Sequence, residues 1–87
     1  MKLKGKFVLR EIMGEYIAIP VGDALLDFNG MLCVNELGYE ILKDLQDGKQ
    51  QDEILANILE KFDVTPEEAA QDLEAFLVRL KENGLLE

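Results

Sequence analysis

Carboxylates are the only abundant reactive groups in this chain. Glu67, Glu68, Asp72 and Glu74 fall close together in one stretch, and two carboxylates facing each other across a groove are the minimum for general acid and base work. Solvation and helix capping account for these four without any reaction. Asp72 stands out only because it borders an apolar line through Leu73 and Phe76. Cys33, the one cysteine, has no histidine anywhere in the chain to activate it, and within the run MLCV it reads as inert packing or a partly exposed thiol. Serine and histidine are absent and Thr65 is the sole threonine, which leaves few routes to nucleophilic catalysis. The usual zinc and iron ligand sets are missing for the same reason, and the acids lack calcium-loop spacing. The residues predict no enzyme, no cofactor and no metal site.

Recognition fits the inventory better than catalysis. Tyr16 and Tyr39 are candidate anchors, although half-buried packing is the better explanation of tyrosines at such positions. Lys2, Lys4, Lys6 and Arg10 form the one local excess of positive charge; they read as a flexible, solvated end able to attract an acidic peptide. Eighteen acids against nine bases give a net charge of −9, and a chain of that sign works against its own field when it approaches nucleic acid or an anionic membrane. No apolar run reaches membrane-spanning length, and Glu11 and Glu15 interrupt the N-terminal segment before a signal-type apolar core forms. The expectation is a cytoplasmic chain.

The elements that must position these groups are well marked. At 87 residues the chain is one domain, spanning 1–87, with room for a single small core. The clearest element is a helix over 66–83. Thr65 is its N-cap, Glu68 its capping-box partner and Pro66 its first residue. Ala69, Leu73, Phe76, Leu77 and Leu80 recur at helical spacing, and Gly84 follows where a positive φ is wanted. Leu85 and Leu86 then fold back onto the core. A second helix over 36–46 starts from Asn35 and carries Gly38, whose poor propensity suggests close packing. A third, between these two, begins near residue 51 or 52 and ends near Phe62.

Upstream, 7–13 and 16–20 read as two strands joined at Gly14 and Glu15 in a type II′ hairpin, with Met13 opposite Tyr16, Ile12 opposite Ile17 and Arg10 opposite Ile19. The side bearing Phe7 and Leu9 packs on the helices, and Pro20 marks the edge or end of its strand. Leu25 and Leu26 insert into the core, Asn29 and Gly30 turn the chain, and Met31, Leu32, Cys33 and Val34 form a short edge strand. The fold class is α+β: an N-terminal three-stranded antiparallel sheet followed by three helices.

An edge strand presents unpaired amides and carbonyls, and a helix with an apolar stripe beside it supplies pockets for the side chains of an added strand. Met31, Leu32, Cys33 and Val34 are therefore peptide-binding candidates. Alternation sends Met31 and Cys33 to one side and Leu32 and Val34 to the other; one pair lines the groove while the other helps the core. On the last helix, Asp72, Phe76 and Arg79 form a stripe beside the deeper line of Leu73 and Leu80. Asp72 suits a basic ligand residue and Arg79 an acidic one. Replacement of Phe76 by alanine is expected to weaken peptide binding by about 1–2 kcal/mol while leaving the fold intact.

The order and spacing of these residues resemble the PqqD-like family of RiPP recognition elements, small peptide-binding domains of ribosomal-peptide and quinone-cofactor biosynthesis. The block VNELGYEILKDLQDG carries Asn35, Gly38, Ile41, Leu45, Asp47 and Gly48 at the family's strand-exit, helix and turn positions. Ile54 and Phe62 follow. Glu68, Asp72, Phe76, Leu77, Leu80, Gly84, Leu85 and Leu86 then resemble its closing pattern, with Leu73 in place of the commoner valine. Pro20 and Gly22 resemble its P-x-G segment, from which Leu25 and Leu26 depart modestly.

The resemblance implies a winged-helix-like fold without catalytic activity. It implies capture of the leader segment of a precursor peptide as an extra strand beside the third strand, over a groove bordered by the third helix. Delivery to a peptide-modifying enzyme, commonly a radical S-adenosylmethionine protein, would follow. Two other readings stay open: a structural protein-interaction domain that binds no leader, and a DNA-binding winged helix, which the acids of the last two helices oppose. An unfilled sheet edge also predicts a weak homodimer that dissociates when peptide occupies the edge.

Overall fold

In the computed structural model, residues 2–22 and 31–86 are described. The expected core role of Leu25 and Leu26 and the turn at Asn29 and Gly30 lie outside them. Strands β1 (Lys6–Ile12), β2 (Glu15–Val21) and β3 (Leu32–Val34) form an antiparallel sheet in the order β1-β2-β3. Helices α1 (Glu36–Gln46), α2 (Gln51–Lys61) and α3 (Pro66–Glu82) follow. The α+β class and the three-strand, three-helix order agree with the sequence, and the arrangement is winged-helix-like.

The hairpin corrects the predicted register. Ile12 pairs with Glu15, Arg10 with Ile17 and Val8 with Ile19, so the two turn residues are Met13 and Gly14. Both have positive φ, 52° and 85°, as a type I′ turn requires; its twist suits the flanking strands. Moving the turn by one residue shifts every cross-strand partner by two, and a shift of two preserves the faces. Phe7 and Ala18 are accordingly buried and Leu9 packs against the core, as expected, while Glu11 is exposed near the turn.

Pro20 is fully buried opposite Phe7. The Phe7 amide donates to Gln46 Oε1 at 2.6 Å, so it does not bond across to Pro20, whose missing donor faces the β3 side beyond the Ala18–Leu32 pair.

The helices form where their caps dictate. Asn35 Oδ1 accepts from the Gly38 amide at 2.8 Å, and Gly48, at φ 82°, turns the chain out of α1. The Gln50 amide donates to the Glu53 carboxylate at 3.0 Å at the start of α2. At α3, Thr65 Oγ1 accepts from the Glu68 amide and the Thr65 amide donates to Glu68 Oε1, both at 3.1 Å. Its far end closes with Leu85 N–H donating to Leu80 C=O at 2.8 Å and Gly84 N–H to Lys81 C=O at 3.0 Å, the paired bonds of a Schellman motif.

Helix α1 lies across all three strands and α2 joins α1 to α3. Asp44, only 5% exposed, accepts from Asn57 Nδ2 at 3.0 Å and ties the first two helices together. Lys61 Nζ adds a 2.8 Å contact to Glu40.

The N-terminal segment is not the free end its lysines suggested. Leu3 is buried and bridges to Leu86, and the Lys4 amide donates to Leu85 C=O at 2.9 Å. Alternating lysines hide one apolar residue that the core takes up.

The capping box makes a first prediction. Backbone and hydroxyl bonds from Thr65 hold the Glu68 carboxyl below its ordinary value of 4.5. Its contribution is therefore present above that unfolded value and is lost as pH falls through the lower folded one. Urea midpoints measured at neutral pH and near pH 3 should differ less in Glu68→Gln than in the parent; an equal difference would remove Glu68 as a source of acid sensitivity.

Candidate functional site

Because β2 lies on one side of β3, the other side of β3 is open among the described residues. Alternate N–H and C=O groups of such a strand point away from the sheet. Beside this edge runs α3, and between them is a cleft of about 300 Å³ lined by Cys33, Val34, Asn35, Leu37, Gly38, Ile41, Asp72, Ala75, Phe76 and Arg79. Asp72, Phe76 and Arg79 thus share the wall that the sequence assigned to them. A narrower recess bordered by Leu32, Phe76, Arg79 and Leu80 continues along α3, and a shallow hollow from Cys33 and Val34 to Glu15 and Glu36 extends toward the hairpin.

The strand residues divide differently from the expected either-or. Leu32 and Val34 are half-buried against the core and also border the groove, whereas Cys33 is exposed at its mouth. A strand seen from its edge offers both faces to an added neighbour. Met31 is 59% exposed and precedes the strand, which begins at Leu32; it is absent from the residues lining the cleft.

The sequence reading omitted the contribution of α1. Asn35, Leu37, Gly38 and Ile41 close one side of the cleft, and Gly38 is what permits it. A Cβ at residue 38 would lie 2.9 Å from Phe76 Cε1 and 3.1 Å from Val34 Cβ, so glycine lets strand, α1 and α3 meet there without displacing the Phe76 ring. The poor helix propensity of Gly38 was the available signal.

Tyr16 and Tyr39 pack on each other, ring centroids 5.0 Å apart at 57°, and both are half-buried. The Tyr16 phenol donates to Glu36 at 3.4 Å. Desolvation, then the charges of Glu11 and Glu36, hold it above its ordinary value. Among the described residues no three carboxylate or thiol groups converge as metal ligands, and no helix is long and apolar enough to cross a membrane.

An open third strand, a groove against the last helix and a winged-helix-like frame define a small non-catalytic recognition domain. The chain belongs to the PqqD family: the family model "Coenzyme PQQ synthesis protein D (PqqD)" matches residues 24–86. Among solved structures, "TbiB1 in Complex with the TbiA(beta) Leader Peptide" is similar, with 25% identity and a TM-score of 0.76 over 100% of this chain and 95% of that one. "Lasso peptide synthetase B1 complexed with the leader peptide" shares the fold at 18% identity, with a TM-score of 0.70 over 97% of this chain and 93% of that one. No curated protein matches.

Proposed function

We propose that residues 1–87 act as one peptide-recognition domain, capturing the leader segment of a ribosomally made precursor peptide and presenting it to a modifying enzyme. The observation that carries this reading is the open edge of β3 beside a groove floored by Phe76. The similarity to TbiB1, solved with a leader peptide, supports it. Backbone bonds to Leu32, Cys33 and Val34 supply general affinity and the side-chain recesses supply preference. Met31 extends the contact beyond the strand. Asp72 receives a basic ligand residue and Arg79 an acidic one. The enzyme partner in this reading is a radical S-adenosylmethionine protein, and the setting is cytoplasmic cofactor or peptide biosynthesis without nucleic acid or membrane. Two copies pairing weakly through β3 would compete with the peptide for the same edge.

The test is a heteronuclear titration with the leader of a precursor encoded beside this chain. Amides of Leu32, Cys33 and Val34 should shift together with those of α3, and Arg79→Glu should weaken binding of leaders carrying acids, chiefly through slower and differently salt-dependent association, as rim charges do. Tight binding that left both elements unperturbed would defeat strand addition. No binding to any neighbouring leader would favour a purely structural role.

A further inference from the structure

The hairpin tip breaks a local rule without an internal benefit. Met13 occupies the first central position of a type I′ turn, where asparagine, aspartate or glycine is preferred, at φ 52°. Its side chain is 99% exposed and that of Ile12 55% exposed. A disfavoured backbone conformation carrying a solvated apolar side chain stabilises nothing within its own fold, and such inconsistencies mark functional surfaces. Glu11 and Glu15, both exposed, flank the knob on either side.

The other end of β1 carries the complement. A cleft of about 560 Å³ lies between the start of β1 and the end of α1, with Leu3, Phe7 and Leu45 supplying apolar lining and Lys2 and Lys6 the charge. Among the described residues no acid lines it, in a chain with twice as many acids as bases. Knob and cleft sit at opposite ends of a seven-residue strand, roughly 20 Å apart at the usual rise, so one copy cannot satisfy itself.

We infer that the Ile12 and Met13 tip of one copy docks into the Leu3, Phe7 and Leu45 cleft of a second, with Glu11 and Glu15 meeting Lys2 and Lys6. The two surfaces differ, so the contact is head-to-tail and extends instead of closing as a symmetric dimer. A knob of two side chains falls far short of the ~800 Å² per partner of a stable interface. The association is therefore weak and reversible, further opposed by the net charge of −9 on each copy. It leaves the β3 edge open, unlike pairing through β3, and does not depend on what the groove binds.

Amide spectra over a dilution series from millimolar to micromolar protein, with sedimentation equilibrium alongside, test this. Shifts that depend on concentration should cluster at residues 11–15, 3–7 and 46–48, and average mass should rise with concentration. Met13→Asn, which suits the turn and keeps the fold, should weaken self-association at least tenfold. Lys2→Glu/Lys6→Glu and Glu11→Lys/Glu15→Lys should each stay monomeric alone, and a mixture of the two should associate. The inference is overturned by a parent protein that stays monomeric throughout, by unchanged association in Met13→Asn, by a mixture that fails to associate, or by shifts confined to β3 and α3.

Discussion

Replacing Phe76 by alanine should lower the stability of the domain by about 3 kcal/mol, at the low end of the range for buried aromatics, and should also abolish the peptide binding proposed above. The sequence suggested a groove residue whose loss would spare the fold; the structure gives it two roles. Phe76 is only 9% exposed and belongs to the core cluster with Leu73, Leu77 and Leu80, while its ring also lines both recesses beside β3. Truncation leaves a cavity that α1, α3 and the strand cannot all collapse to fill. A domain of this size holds a total margin of only about 5–10 kcal/mol, so the variant should unfold at markedly lower urea while remaining folded in buffer. Phe76→Leu separates the roles: it retains most of the buried volume, should cost under about 1.5 kcal/mol, and still loses the flat contact surface. Urea unfolding and calorimetric titration of both variants check this. An alanine variant as stable as the parent would show that Phe76 is not part of the core.

Gly38→Ala should have the opposite profile, with stability within about 1 kcal/mol of the parent and peptide affinity reduced at least tenfold. Alanine is favoured over glycine in a helix by about 1 kcal/mol, which offsets the crowding it introduces. The new Cβ meets Phe76 Cε1 at 2.9 Å and Val34 Cβ at 3.1 Å. Val34 is fixed to the strand backbone, whereas the Phe76 ring edge can turn, and the space open to it is the cleft proposed for the peptide. Gly38→Val adds two methyl groups to the same contact and should cost about 1–3 kcal/mol through overpacking. Thermal unfolding with calorimetric titration separates the two effects. Undiminished binding in Gly38→Ala would show that the cleft between α1 and α3 lies outside the peptide's path.

The helices were legible because their ends are written in residue type: the side chains of Asn35 and of Thr65 with Glu68, and the backbone N–H of Gly84 at positive φ, each satisfy groups that only a helix terminus leaves open. The hairpin was less legible because Gly14 fits either central position of a two-residue turn. The two registers differ by a shift of two, so hydrophobic pattern cannot choose between them. For the site, α3 and β3 were readable as a stripe and an edge. The contribution of Asn35, Leu37 and Ile41 depends on how α1 crosses the sheet, which no periodicity encodes. Leu3 was lost among lysines, since one apolar residue in an alternating polar segment carries no pattern.

The bridge between Leu3 and Leu86, with Lys4 bonded to Leu85, means that the chain enters and leaves the domain at one place. A unit with adjacent entry and exit can be spliced into a surface loop of a host without forcing the host's own strands apart. It can also be tethered through either end with the same reach. The pairing that buries two leucines thus also gives both ends of the domain a single point of attachment.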